Sequence, residues 1–139
     1  MKLILKFHNY GVESEKPLLL RKILHNLSAS GRNDAEIIIL SAASTGQGAV
    51  HALLQEPMWA RRIVSFQPGQ KKIGYSSIKS FKGLESPVVI ITDLRLGSRG
   101  AFQQLYTGLT RSTDQTFVML SHSDRPTFQQ LILKQFEEE

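Results

Sequence analysis

The chain has 139 residues, no cysteine and a formal charge of +5, which sets its isoelectric point near 9.7. That length fits one domain with a sizeable core, and the lack of cysteine excludes disulfides and thiolate-held metals. The opening Met1-Lys2-Leu3-Ile4-Leu5-Lys6 breaks at a lysine before a signal-peptide core can form, and no apolar run approaches the roughly 20 residues of a membrane span, so a cytoplasmic protein is expected.

In chain order, Leu3 to Phe7 reads as a short strand ended by Asn9-Tyr10-Gly11. Ser14-Glu15-Lys16-Pro17 then looks like a helix start, since proline is tolerated in the first turn. Leu18, Leu19, Ile23, Leu24 and Leu27 recur at helical spacing and predict a core-facing stripe, closed by Ser30 to Asp34. Glu36 to Ser41 is a second, buried strand. Strand, helix, strand favours a right-handed crossover and a parallel sheet.

After Ser41 come small residues, Ala42-Ala43-Ser44-Thr45-Gly46-Gln47-Gly48, and then a helix-like segment with Val50, Leu53 and Leu54. This invites a phosphate-loop reading. A P-loop, however, needs a lysine followed by Ser or Thr, and here Ala49 and Val50 follow Gly48. A tight strand-to-helix turn is the plainer reading. Glu56 to Trp59 ends that helix, and Arg62 to Phe66 reads as a short strand. A turn at Gln67 to Gln70 follows, and then a weak alternation from Ile73 to Ile78.

The stretch Tyr75 to Asp93 organises the chain. Val88-Val89-Ile90-Ile91 is an unbroken β-branched run, the pattern of a central strand buried on both sides. Before it lies a polar loop with Lys79, Lys82, Gly83 and Glu85. No acid occurs between Glu56 and Glu85, a gap that holds Arg61, Arg62, Lys71, Lys72, Lys79 and Lys82 and predicts a positive face for phosphate. Beyond Asp93 a basic loop leads to a helix with the stripe Phe102, Leu105, Tyr106 and Leu109, ending near Arg111. Thr116 to Leu120 is a further strand, and a last helix carries Phe128, Leu131, Ile132 and Phe136. Alternating strands and helices give an α/β three-layer sandwich with a mostly parallel central sheet, as one domain over residues 1–139.

Two blocks carry a likeness to a known family. Ser77-Ile78-Lys79-Ser80-Phe81-Lys82-Gly83-Leu84-Glu85 resembles motif V of the UvrD/Rep-type superfamily 1 helicases, typically Thr-aliphatic-His-small-x-Lys-Gly-Leu-Glu. Leu105-Tyr106-Thr107-Gly108-Leu109-Thr110-Arg111-Ser112 resembles motif VI, Leu-Tyr-Val-Ala/Gly-hydrophobic-Thr-Arg-Ala. The strand Glu36 to Ser41 falls where motif IV would. The resemblance implies the C-terminal, second RecA-like domain of an ATP-dependent DNA helicase, a P-loop NTPase-like fold without the P-loop.

By that resemblance, Arg111 is the arginine finger that reaches the γ-phosphate of ATP, and Gly83 and Glu85 form the nucleotide edge of motif V. Ser77, Lys79 and Ser80 face the backbone phosphates of single-stranded DNA. Lys79 stands where the family commonly has His. Lys82 reads equally as a structural or a phosphate-side lysine. Three features depart from the pattern. Ser41 to Val50 holds no arginine for motif IV, Thr107 replaces an apolar residue, and these residues contain neither a P-loop lysine nor an Asp-Glu pair for Mg²⁺. ATP and Mg²⁺ are therefore expected only in a full motor that joins this chain to a first RecA-like domain, in cis or in trans, and not on this chain alone. Asp93 ends a strand as a magnesium carboxylate would, but without a companion acid. The histidines, His8, His25, His51 and His122, lack ligand spacing, so no metal site is assigned. A free-standing module that binds nucleic acid or completes a partner's ATPase site is the alternative. A Rossmann-like enzyme holding a nucleotide at Thr45 to Gly48 ranks last, because it leaves both blocks unexplained.

Overall fold

Six strands make one sheet in the computed structural model, which describes residues 4–43, 48–81, 83–97 and 99–130. They are β1 (Ile4–Tyr10), β2 (Ile37–Ser41), β3 (Ile63–Ser65), β4 (Ile73–Ser77), β5 (Ser86–Thr92) and β6 (Ser112–Ser121). The order is β1-β6-β5-β2-β4-β3, and every neighbouring pair is parallel. Helices α1 (Lys16–Ala29), α2 (Ala49–Leu53), α3 (Pro57–Ala60) and α4 (Ala101–Leu109) connect them, and residues 125–130 are helical.

The apolar runs of β2 and β5 work as two interleaved sets. Ile37, Ile39, Val88 and Ile90 pack into a core with α1, α2 and the fully buried Trp59 of α3. Ile38, Leu40, Val89 and Ile91 pack on the other side with Leu105 of α4, Phe81 and Phe128. Side chains alternate sides along a strand, so a strand covered twice must be apolar at every position. The α/β three-layer sandwich follows, with β5 inside the sheet as its sequence requires. Pro87 sits in the register shift between Ser86 and Val88, where its missing N–H costs no ladder bond.

Several boundaries and faces differ from the sequence reading. Asn9 and Tyr10 do not end the first strand but complete it, and Tyr10 is buried. In α1 the inward stripe is Lys16, Leu20, Ile23, Leu24 and Leu27, while Leu18 is 56% exposed. In α4 the packed face is Ala101, Leu105 and Gly108, leaving Phe102 and Tyr106 exposed. The last strand begins at Ser112, four residues before the apolar run that announced it, because the ladder to β5 and the bond from Ser86 N to Arg111 O (2.9 Å) start there. Leu131, Ile132 and Phe136 lie outside the described residues.

β3 and β4 are adjacent and parallel, yet only residues 66–72 join them, fewer than the dozen or so that a helical crossover needs. Gly74 makes room for this short return. A Cβ there would stand 2.5 Å from Gln70 Nε2 and 2.9 Å from Ile38 Cδ1.

Candidate functional site

A parallel sheet gathers all its strand starts at one edge and all its strand ends at the other, and polar loops collect at both. The two halves of the motif V block go to opposite edges. Ser77 closes β4 at the C-terminal edge, and the turn after it is built by its own side chain. Ser77 Oγ accepts from Ser80 N at 3.0 Å and lies 2.8 Å from Ser80 Oγ. Ile78 and Phe81 are buried beneath this turn, while Lys79 and Ser80 are exposed. Anchored by its apolar residues, the turn holds hydroxyl and ammonium groups toward solvent.

The chain then descends to the N-terminal edge. Gly83 has φ +82°, a left-handed backbone that glycine adopts without strain, and nothing lies within 4 Å of where a Cβ would be. Glu85 is exposed and directly precedes β5. Arg111 directly precedes β6, and Ser86 and Ser112 are register partners, so Glu85 and Arg111 begin neighbouring strands. Lys82 lies outside the described residues.

Only Thr110 and Arg111 separate α4 from β6. Gly108 places them: a Cβ on it would come within 2.6 Å of Ile91 Cδ1, so α4 lies closer to β5 than any other residue type allows without a shift. Arg111 Nε donates at 3.1 Å to Thr107 O, a helix-end carbonyl that also accepts from Thr110 Oγ1 at 2.8 Å. Among the described residues its guanidinium forms no ion pair.

The predicted positive face does not form as one surface. Lys71 and Lys72 precede β4 and Lys79 follows it, so they stand at opposite edges. Arg62 is already committed: it makes a fork with Asp34 at 2.8 and 3.1 Å and lies 4.8 Å from the Trp59 ring. Hydrogen bonding to Asp34 raises its pKa against the opposing effect of burial. Absence of acids along the sequence did not prevent pairing with an acid 28 residues away.

Asp93 carries a network that spacing could not reveal. It follows β5 with φ +62° and is 7% exposed. Its carboxylate accepts from Lys16 Nζ (3.0 Å), Ser41 Oγ (3.1 Å), Thr92 Oγ1 (2.8 Å) and Ala49 N (3.2 Å). Lys16 Nζ also pairs with Glu13 at 2.5 Å and lies 5.5 Å from the Tyr10 ring. Burial opposes its charge, but the bonds to Glu13 and Asp93 outweigh burial and raise its pKa. Burial is also the main cause that raises the Tyr10 phenol.

This network bears on the glycine-rich turn. A Cβ on Gly48 would stand 2.5 Å from Asp93 Oδ2, so Gly48 is glycine to admit the protein's own carboxylate to the start of α2. An anion already holds the place a phosphate would take. Thr45, Gly46 and Gln47 lie outside the described residues. Among the described residues no group of three or more acids and histidines could hold a metal ion, and no helix is long and apolar enough to cross a membrane.

Sequence comparison can now be set beside this geometry. Residues 74–119 match the UvrD-like helicase C-terminal domain. That span, about a third of the chain, contains both motif blocks and is what the chain shares with that family. Among solved structures, the chain is similar to the crystal structure of the C-terminal domain of a possible DNA helicase from Lactobacillus plantarum WCFS1. The TM-score is 0.58 at 16% identity, over 86% of this chain and 73% of that one. At that identity the likeness establishes the shared fold. No curated relative matches by sequence. The parallel sheet thus puts Arg111 with Glu85 at one edge, and Ser77, Lys79 and Ser80 at the other.

Proposed function

We propose that this chain is the second RecA-like domain of an ATP-dependent DNA helicase, with its two sheet edges doing different work. At the N-terminal edge Arg111 reaches the γ-phosphate of ATP held on a first RecA-like domain, in cis or in trans. Gly83 and Glu85 form the nucleotide edge, the glycine by close backbone approach and the carboxylate by accepting from a ribose hydroxyl. At the C-terminal edge Ser77, Lys79 and Ser80 bind the backbone of single-stranded DNA without reading bases. In this reading Mg²⁺ and the attacking water are held by the other domain.

The observation that carries this reading is the half-buried Arg111 guanidinium, tethered through Nε and without an acid partner among the described residues. An arginine tethered through Nε, with its two Nη groups uncommitted among the described residues, suits a phosphate that arrives from outside the domain. The test is ATP turnover by the polypeptide that joins this chain to a first RecA-like domain, with single-stranded DNA present. Arg111→Ala is expected to lower turnover by about 10³-fold or more. Turnover within a few-fold of the parent would remove the finger.

A further inference from the structure

The outermost strands of the sheet differ in length. On one side lies β3, a strand of 3 residues that offers a passing chain little to pair with. On the other, β1 runs 7 residues beside β6 in unbroken parallel register, with no proline and no bulge. Among the described residues no further backbone hydrogen bond reaches Ile4–Tyr10, so every second residue of β1 turns its N–H and C=O away from the sheet. The two faces beside this open strand are unlike. On one, Phe7 is 43% exposed and its ring meets the Phe128 ring edge-to-face at 4.4 Å. On the other, Lys6 and His8 share a cleft of about 190 Å³ with Asn26, Leu27, Ser30 and Phe117. Lys6 Nζ lies 6.0 Å from the centre of the Phe117 ring and the His8 ring 5.8 Å from it, so both side chains lean over the cleft.

This combination selects its occupant. A row of open backbone donors and acceptors takes an extended chain, which presents complementary groups at matching spacing. The cleft is smaller than the roughly 300–1,000 Å³ of small-molecule sites and suits a single side chain. No acid lines it. Burial, and then the nearby charges of Lys22 and Lys6, lower the pKa of His8. Neither lysine has an ion-pair partner among the described residues. A carboxylate therefore complements the cleft. Successive side chains of a strand point to opposite faces, so the residue next to that carboxylate falls on the Phe7 side. A second copy of this chain is a poor fit. Pairing β1 with β1 antiparallel about Phe7 sets Lys6 opposite His8 and brings two positive clefts together without an acid between them.

We propose that β1 is a docking strand for an extended segment of a partner polypeptide in which acidic and apolar residues alternate. The segment extends the sheet beyond β1, with a carboxylate in the Lys6–His8 cleft and the adjacent apolar side chain against Phe7. Main-chain bonds hold it in line, and the two unlike faces set its register. The inference does not depend on the helicase reading, since β1 lies at the far side of β6, β5 and β2 from β4, the strand that leads into the Ser77–Ser80 turn.

The test titrates the isotope-labelled 139-residue chain with a capped peptide of Glu-Val repeats at fixed salt, following amide shifts and amide exchange. One control has the same composition with its glutamates and valines in two blocks. The other is the alternating peptide N-methylated through its middle, which has no ladder donors there. A ladder bond is worth about 2- to 10-fold in affinity, so the alternating peptide is expected to bind about 10-fold tighter than either control and to slow exchange of alternate β1 amides. Lys6→Glu, at an exposed position, is expected to weaken it by about 5-fold or more and to let a Lys-Val repeat bind instead. A Glu-Ser repeat is expected to bind more weakly than Glu-Val. Equal binding of the N-methylated peptide would reduce the association to charge and overturn strand addition. An affinity unchanged by Lys6→Glu, shifts confined to residues outside β1, or no binding at all would overturn the proposal as well. Self-association by sedimentation, with β1 amides protected in the absence of peptide, would overturn the partner in favour of a second copy.

Discussion

The carboxylate of Asp93 takes hydrogen bonds from β5, β2, α1 and α2 at once, through Thr92, Ser41, Lys16 and Ala49. Its ion pair with Lys16 is buried, with side chains 3% and 8% exposed. Removing one member of such a pair strands a charge and costs about 3–5 kcal/mol. Lys16→Met is therefore expected to lower unfolding free energy by about 3 kcal/mol, read from urea midpoints. The sign of its pH dependence follows from the raised lysine pKa. A raised value means that the contribution is complete below the ordinary lysine value of 10.5 and is lost as pH climbs through the higher folded-state value. The difference between parent and variant should hold constant from about pH 7 to about pH 9 and shrink only in stronger alkali. A difference that fades between those two values would contradict this assignment.

At the scale of elements, α4 governs where Arg111 stands. Its contact with β5 depends on Gly108 against Ile91, a position where an added methyl must displace a side chain. Gly108→Ala gains helix propensity of about 1 kcal/mol but overpacks the contact, which costs typically 1–3 kcal/mol. The expected net result is a small loss of stability. Ile91→Val removes the Cδ1 methyl that clashes, so the two changes should couple by at least about 0.5 kcal/mol in a double-mutant cycle. Strict additivity would show that α4 does not lean on β5 through this glycine. The same helix shows what sequence could and could not tell. Its existence and its end near Arg111 followed from periodicity and the motif. Its inward face did not, because the packed residues include Ala101 and Gly108, which carry little hydrophobic signal, while Phe102 and Tyr106 point outward. The central strands were legible since burial on both sides leaves an unbroken apolar run. Tyr10 at the end of β1 was not, because Asn-Tyr-Gly imitates a turn.

Across the whole molecule, the sheet separates the residues that the motifs name into two groups. Arg111, Glu85 and Gly83 belong to the descent toward the N-terminal edge, and Ser77, Lys79 and Ser80 to the C-terminal edge. The motif residues themselves could be picked from the sequence, since their order and spacing are distinctive. The cleft along β1 could not, because its lining comes from segments with no motif and forms only when β1, α1 and β6 assemble. Nor could the Asp93–Lys16 pair, whose members are 77 residues apart. Charge distribution along the chain misled for a related reason: residues that are close in sequence around a strand end at opposite edges of a parallel sheet.

The most direct measurement is a DNA titration of ATP turnover by the full motor, comparing Arg111→Ala with Lys79→Ala. If the edges have separate work, Arg111→Ala lowers the maximal rate by about 10³-fold or more, while Lys79→Ala raises the DNA concentration needed for half-maximal stimulation and makes that concentration less dependent on salt. If both substitutions lower the maximal rate alike and neither shifts the DNA requirement, the division of labour between the two edges is contradicted.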